Sequence, residues 1–231
     1  MKKLVGIIPS ANLFETEDIY SDRYYFINNY AKRVYKSSGI PIGILADDGY
    51  VFEESLEKVD SILVCGGKKI LPHQFQAVEY AIENNKKILG ICLGMQLIHI
   101  YFLVCDEAIR RNYTGSKLEL FEQMKKEKYM FTAPVEHHWD VHMIRGKEDD
   151  TKHVIKIKHE THLHNLLKTD TVKGASMHHY KINNPSPLLT ISAYAEDGTP
   201  EAIEYGKNIL GVQFHPEIDD NFASLFKFLT E

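Results

Sequence analysis

The 231-residue chain is 44% hydrophobic and 26% charged, which excludes a disordered tail, a collagen-like repeat and a disulfide mini-scaffold. Its 27 lysines and arginines face 32 aspartates and glutamates, a formal net charge of −5, and with no basic stripe nucleic acid is not an expected partner. No run approaches the roughly 18 apolar residues of a membrane helix, and the odd set Cys65, Cys92 and Cys105 suits reduced thiols in a cytoplasm.

The first apolar run, Leu4–Ile8, is closed by Pro9 and is too short for the core of a signal peptide. It predicts the first strand of a buried parallel sheet. Tyr24, Ile27, Ala31, Val34 and Tyr35 then recur at helical spacing, predicting a helix from Ser21 as N-cap to Ser38, with Gly39 as its stop. Strands are predicted at Ile40–Leu45, at Ser61–Cys65 and at Lys87–Ile91. Between the last two, Phe75, Val78, Ala81 and Ile82 mark one face of a helix from Pro72 to Asn85. Strands spaced by helices imply right-handed crossovers and a mostly parallel sheet covered on both faces. The ligand crevice of such a sheet lies at the carboxyl ends of its strands, where Gly66-Gly67 and Cys92 fall.

The second half is less regular. Asp106–Glu136 is polar, with an amphipathic helix predicted from Lys117 to Lys128, and reads as a lid or as a solvated surface insertion. Short strands are predicted at Val154–Ile157, Leu188–Tyr194, Glu201–Glu204 and Ile209–Phe214. Phe222, Leu225, Phe226 and Leu229 mark a closing helix. No repeat, low-complexity tract or Pro/Ser-rich linker interrupts the chain, so residues 1–231 are expected to form one domain.

Chemistry concentrates at Gly90-Ile91-Cys92-Leu93-Gly94. Glycines two residues either side of a nucleophile, between a strand and a helix, permit a strained turn that larger side chains would block. The thiol then projects from a helix N-terminus, where free N–H groups favour thiolate. The plain alternative is a buried cysteine beside two incidental glycines. A second segment, Gln213-Phe214-His215-Pro216-Glu217, ends a strand with a histidine and places a carboxylate two residues on. Cys92, His215 and Glu217 would form a nucleophile, a base and an orienting group; without Cys92 the same segment would read as a capped strand end. Gly66-Gly67 offers backbone N–H groups, so Gly67 and Leu93 are the candidate oxyanion hole. His159-Glu160-Thr161-His162 falls one residue short of a zinc motif, and His137, His138 and His142 lack accompanying cysteines or carboxylates. Asp47-Asp48-Gly49 reads as a turn and not a calcium loop. No metal and no cofactor is expected. Cys65 and Cys105 read as small buried hydrophobes.

Gly-Ile-Cys-Leu-Gly-Met-Gln at 90–96, joined to Gly-Val-Gln-Phe-His-Pro-Glu at 211–217, closely resembles the class I glutamine amidotransferase superfamily. The resemblance implies a flavodoxin-like α/β fold and a Cys-His-Glu triad that cleaves a γ-glutamyl amide through a thioester on Cys92. It also implies that Gln96 helps to hold the glutamyl group. Ser38-Gly39-Ile40-Pro41, the Gly-Gly to Leu71-Pro72 stretch and Ser176-Met177-His178-His179 resemble the γ-glutamyl hydrolase branch, of peptidase C26 type. That adds His178 and His179 as substrate-binding candidates. Leu93, where those hydrolases carry arginine, is instead as in many ammonia-supplying subunits, Tyr180 replaces their glutamine, and Ile100-Tyr101-Phe102-Leu103 replaces a glycine-rich region. The implied function is a cytosolic hydrolase of γ-glutamyl amides. One candidate within that branch acts on the γ-glutamyl nucleotide-amidate of capsule phosphoramidate synthesis, with Lys68 and Lys69 near the phosphate. The alternative is a glutaminase subunit that supplies ammonia to a synthase partner.

Overall fold

The computed structural model describes residues 1–135 and 147–231. Nine strands build its central sheet: β1 (Leu4–Ile8), β2 (Ile40–Gly43), β3 (Ser61–Val64), β4 (Lys87–Ile91), β5 (Lys152–Ile157), β6 (Thr171–Ala175), β7 (Thr190–Ala195), β8 (Pro200–Tyr205) and β9 (Ile209–Val212). Their order across the sheet is β6-β5-β7-β8-β9-β4-β3-β1-β2. From β9 to β2 every neighbouring pair is parallel, whereas the pairs from β6 to β9 are antiparallel. Only β5 and β8 therefore oppose the common direction, and the sheet is the mostly parallel one that the first half of the sequence predicts.

Period-2 alternation divides the parallel strands between two cores. Val5, Ile7, Leu63, Leu89 and Ile91 pack on one face with Tyr30 and Val34 of α1 (Asn28–Lys36) and with the closing helix α7 (Ala223–Lys227). Ile8, Ile62, Val64 and Ile88 pack on the other face. There they meet α3 (Pro72–Glu83), α4 (Leu93–Arg111) and α5 (Lys117–Lys126); α2 (Glu53–Glu57) and α6 (His162–Leu167) are short connectors. α4 is apolar on nearly every side from Leu93 to Val104 because the sheet and two helices enclose it. Among the described residues no helix is long and apolar enough to cross a membrane.

Three sequence expectations are corrected. The first helix begins at Asn28 and not after Ser21. Asp18 instead caps a short 3-10 turn at Ile19–Ser21, and Arg23–Tyr25 pairs antiparallel with Ser10–Asn12. The Asp22 carboxylate anchors that excursion by accepting the Phe14 N–H at 2.7 Å. The left-handed stop is Ser38, at φ 67, and not Gly39, whose N–H donates to the Val34 carbonyl. Residues 106–126 are neither lid nor insertion. Asp106 to Arg111 complete α4, and α5 buries Leu120, Phe121 and Met124, with Phe121 stacked on Phe75 at 4.5 Å. The edge strand β6 was not legible because exposed Thr171 and Lys173 flank half-buried Val172. Asp48 and Gly49, both at positive φ, close a two-residue hairpin, as the turn reading expects. Cys65 is buried as expected; Cys105 is only half-buried.

His99, on α4, is fully buried, and its Nε2 lies 3.2 Å from the Phe131 carbonyl. Burial drives the imidazole down to about 4 against the pull of that carbonyl. The unfolded chain binds this proton below its ordinary value near 6.5, and the folded chain does so only near 4. Stability from this residue is therefore full above pH 6.5 and lost as the pH falls towards 4, by about 1–2 kcal/mol at pH 5. Denaturant midpoints at pH 7 and pH 5 should show that drop, and His99→Gln should flatten it.

Candidate active site

The parallel register brings the chemistry-bearing segments together. Val64 of β3 pairs with Gly90 of β4, and Ile91 of β4 pairs with Val212 of β9. Gly66-Gly67, Cys92 and His215 thus leave three adjacent strands at the same end, the end at which such sheets bind ligands.

Cys92 is the residue between β4 and α4, held at φ 54, ψ −107, and its N–H donates to the Val212 carbonyl at 2.8 Å. A non-glycine residue at this φ is strained, and its surroundings hold it there. A Cβ on Gly94 would lie 2.3 Å from the Val64 carbonyl oxygen, and one on Gly90 would lie 2.4 Å from the Gly94 carbonyl. Both flanking glycines are therefore demanded by backbone-to-backbone approach, and the reading of them as incidental is set aside. At the start of α4 the first N–H groups, Leu93 among them, have no partner within the helix.

His215 sits beyond β9, its N–H donating to the Ala175 carbonyl at 2.9 Å. Its Nδ1 is 2.7 Å from Glu217 Oε1, both side chains are buried, and the ring contacts the Cys92 thiol. Burial alone would lower this imidazole. The Glu217 carboxylate and the Cys92 contact outweigh it and hold the group well above its ordinary value.

Two further residues, absent from the sequence reading, come from α1. Tyr30 is fully buried and its hydroxyl accepts the Gly66 N–H at 3.1 Å. Burial, then the Glu217 charge, pushes that hydroxyl well above its usual range, so it stays protonated. Arg33 donates from Nε to the Glu217 carbonyl at 2.8 Å, and its guanidinium pairs with Asp220. Three apart on one helical face, Tyr30 and Arg33 tie both turns of the site to one helix. Their partners are backbone atoms, so no motif announces them; the one signal in the sequence was an arginine on the apolar side of an amphipathic helix.

A cleft of about 1640 Å³ opens over Cys92, and Gly67, Leu93, Gln96, His178 and His179 line it, so all the candidate binding residues converge there. The Gln96 amide donates to the Tyr180 carbonyl at 3.0 Å and to Gln213 Oε1 at 3.1 Å. His178 is buried, with Nδ1 3.0 Å from the Tyr180 carbonyl and Nε2 3.4 Å from the buried Glu201 carboxylate. His153 approaches the same carboxylate at 3.2 Å. Glu201 also escaped the sequence reading, lying in a strand that looked merely structural. Lys68 lines the cleft, while Lys69 pairs with Glu15 at 2.6 Å. His137, His138 and His142 lie outside the described residues.

Gly94→Ala should be severely damaging. It drives a methyl into the Val64 carbonyl, and a loss of about 3 kcal/mol or more is expected. A urea midpoint within error of the parent would contradict the close approach described here.

Residues 22–225 match the family described as glutamine amidotransferase class-I. Glutamine amidotransferase-like protein RP404 of Rickettsia prowazekii is 28% identical, the match covering 98% of this chain and 95% of that protein. The CTP synthase of Methanothermobacter thermautotrophicus is 31% identical over 75% of this chain but only 33% of its own length, so the chain spans about a third of that enzyme. In fold, the chain is similar to the glutaminase domain of Trypanosoma brucei CTPS with bound acivicin, at TM-score 0.67 and 18% identity, covering 98% of this chain and 92% of that one. With the family's match running through nearly the whole of the sheet and the Cys92 turn, the chain belongs to the class I glutamine amidotransferase family.

Proposed function

We propose that this chain hydrolyses γ-glutamyl amides with Cys92 as nucleophile, His215 as general acid and base, and Glu217 as the group that orients the imidazole. The observation that carries the reading is the buried His215–Glu217 hydrogen bond beside a thiol on a strained strand-to-helix turn. With the thiol proton transferred to His215, Sγ attacks the amide carbonyl carbon, and the oxygen takes up negative charge facing the N–H groups of Gly67 and Leu93. As the C–N bond breaks, His215 gives its proton to the departing amine, leaving a glutamyl thioester. Water then attacks the thioester carbon, gives a proton to His215, and glutamate leaves as the thiol is restored. The raised imidazole supports this role, because the protonated form is the one that must feed the leaving group. With both amide N–H bonds of Gln96 spent on the protein, its carbonyl is the atom left to meet a substrate ammonium.

Hydrolysis of a larger amide, in the manner of the γ-glutamyl hydrolases of peptidase C26 type, is favoured over ammonia supply by the size of the cleft. It exceeds the roughly 300–1,000 Å³ of a usual small-ligand site, far more than glutamine alone requires. Lys32 and Lys68 line it, Lys36 lines it while paired with Asp220 at 3.1 Å, and Glu217, engaged with His215, is the one carboxylate residue lining it among the described residues. This arrangement suits an amine half that carries negative charge, whether a carboxylate or the phosphates of a nucleotide amidate. The second reading, a glutaminase that hands ammonia to a synthase partner, is favoured by Leu93 after the nucleophile and by the similarity to CTP synthase.

The deciding measurement is glutamate release by the purified chain from glutamine and from γ-glutamyl amides with neutral, carboxylated and phosphorylated amine halves. Preference for an anionic amide without any added protein is expected; glutamine as the best substrate would move the assignment to ammonia supply. Cys92→Ala and His215→Asn should each lower turnover by about 10⁴-fold and Glu217→Gln by distinctly less, since members of such a set act as a unit. Tyr30→Phe should lower kcat about tenfold with KM little changed, because it frees the Gly66 N–H and loosens the turn that bears Gly67.

A further inference from the structure

The connection between β5 and β6 gathers three side chains with metal-binding atoms. His159 stands two residues past the end of β5, Asp170 immediately precedes β6, and His164 lies in α6 between them. Asp170 and His164 are held by backbone contacts that do not involve the cluster. The Ile157 N–H donates to the Asp170 carbonyl at 2.8 Å, and the Thr161 hydroxyl caps α6 by accepting the His164 N–H at 3.2 Å. Glu160, at φ 62, turns the chain between His159 and α6.

The side chains converge on one point. His164 Nε2 is 3.1 Å and His159 Nε2 is 3.3 Å from the same oxygen, Asp170 Oδ1, and all three ligand atoms lie within 4.8 Å of one another. The two rings are 4.7 Å apart and tilted by 43°. Four donors about 2.0–2.1 Å from a tetrahedral ion stand roughly 3.3 Å from each other. Both nitrogen-to-oxygen separations already match that edge.

We propose that His159, His164 and Asp170 bind a first-row divalent cation of the zinc type, with water as the fourth ligand. Two imidazoles and one carboxylate suit Zn²⁺, whereas Ca²⁺ and Mg²⁺ require a shell of oxygens. The three residues do not line the cleft over Cys92. The ion would join the two ends and the middle of the β5–β6 connection and so stabilise the antiparallel edge of the sheet. The sequence alone predicts no metal, and the near-motif His159-Glu160-Thr161-His162 is not the ligand set. His162 instead packs edge-on against Phe228, and His164 takes the place beside His159.

The test is ZnCl₂ binding to the full chain carrying Cys92→Ala, which removes the thiol as a competing ligand. One Zn²⁺ per chain and a rise in Tm on adding ZnCl₂ are expected. Placed singly in that background, His159→Gln, His164→Gln and Asp170→Asn should each weaken binding about tenfold or more, since even outer partners of ligands are worth 10–100-fold. The His159 and Asp170 changes fall on exposed side chains, so the outcome does not depend on whether the His164 variant folds. Absence of Zn²⁺ binding, or binding and a Tm rise that persist unchanged in the His159 and Asp170 variants, would overturn the proposal. Because the readouts are metal affinity and Tm, they are independent of which amide the enzyme cleaves.

Discussion

The contact on which the site depends is between two backbones. Val64 at the end of β3 and Gly94 in the first turn of α4 approach so closely that no Cβ fits between them. That approach drives α4 hard against the sheet, and Cys92, caught between β4 and the helix, has no relaxed conformation available. The resulting φ of 54 aims the thiol out of the turn. Strain of this kind persists only where packing over-determines it, and here Val64, Leu93 and Met95 are all buried in one core.

Around that turn the side chains of the proposed triad are distinct from those that hold backbone. His215 and Glu217 are close partners because Pro216 fixes the chain between them. Their turn is held from outside by Arg33 and the Gly66 turn by Tyr30, both from α1. One helix therefore sets the spacing between the loop that would meet an oxyanion and the loop that bears the imidazole. The cleft beyond them is lined in part by exposed side chains, including Lys32 and Lys68.

What could be read in the sequence followed from patterns whose cause is local. The buried strands β1, β3 and β4 are continuous apolar runs, and the glycines around Cys92 and the His-Pro-Glu segment are short enough to carry their own geometry. The helix start at Asn28 was hidden because Tyr24 and Ile27 happen to keep helical spacing through a strand and the two irregular residues after it. α5 was misjudged because its charged face dominates the composition, while Leu120, Phe121 and Met124 decide its place. Tyr30, Arg33 and Glu201 were missed for a different reason: each acts on a group distant in sequence, and nothing beside it in the chain reports that partner.

The pairing of β4 with β9 has a consequence for how the protein comes into being. Gly90 and Gly211 are register partners roughly 120 residues apart in sequence, the kind of non-local pairing that forms late and slowly. During synthesis the thiol emerges long before the imidazole, and no early fragment can hold the two together. Until β9 docks, Cys92 lacks the Val212 carbonyl that fixes its N–H and the ring that would share its proton. For the nucleophile proposed above, reactivity would thus be withheld from the nascent chain and would appear with the last strand of the sheet.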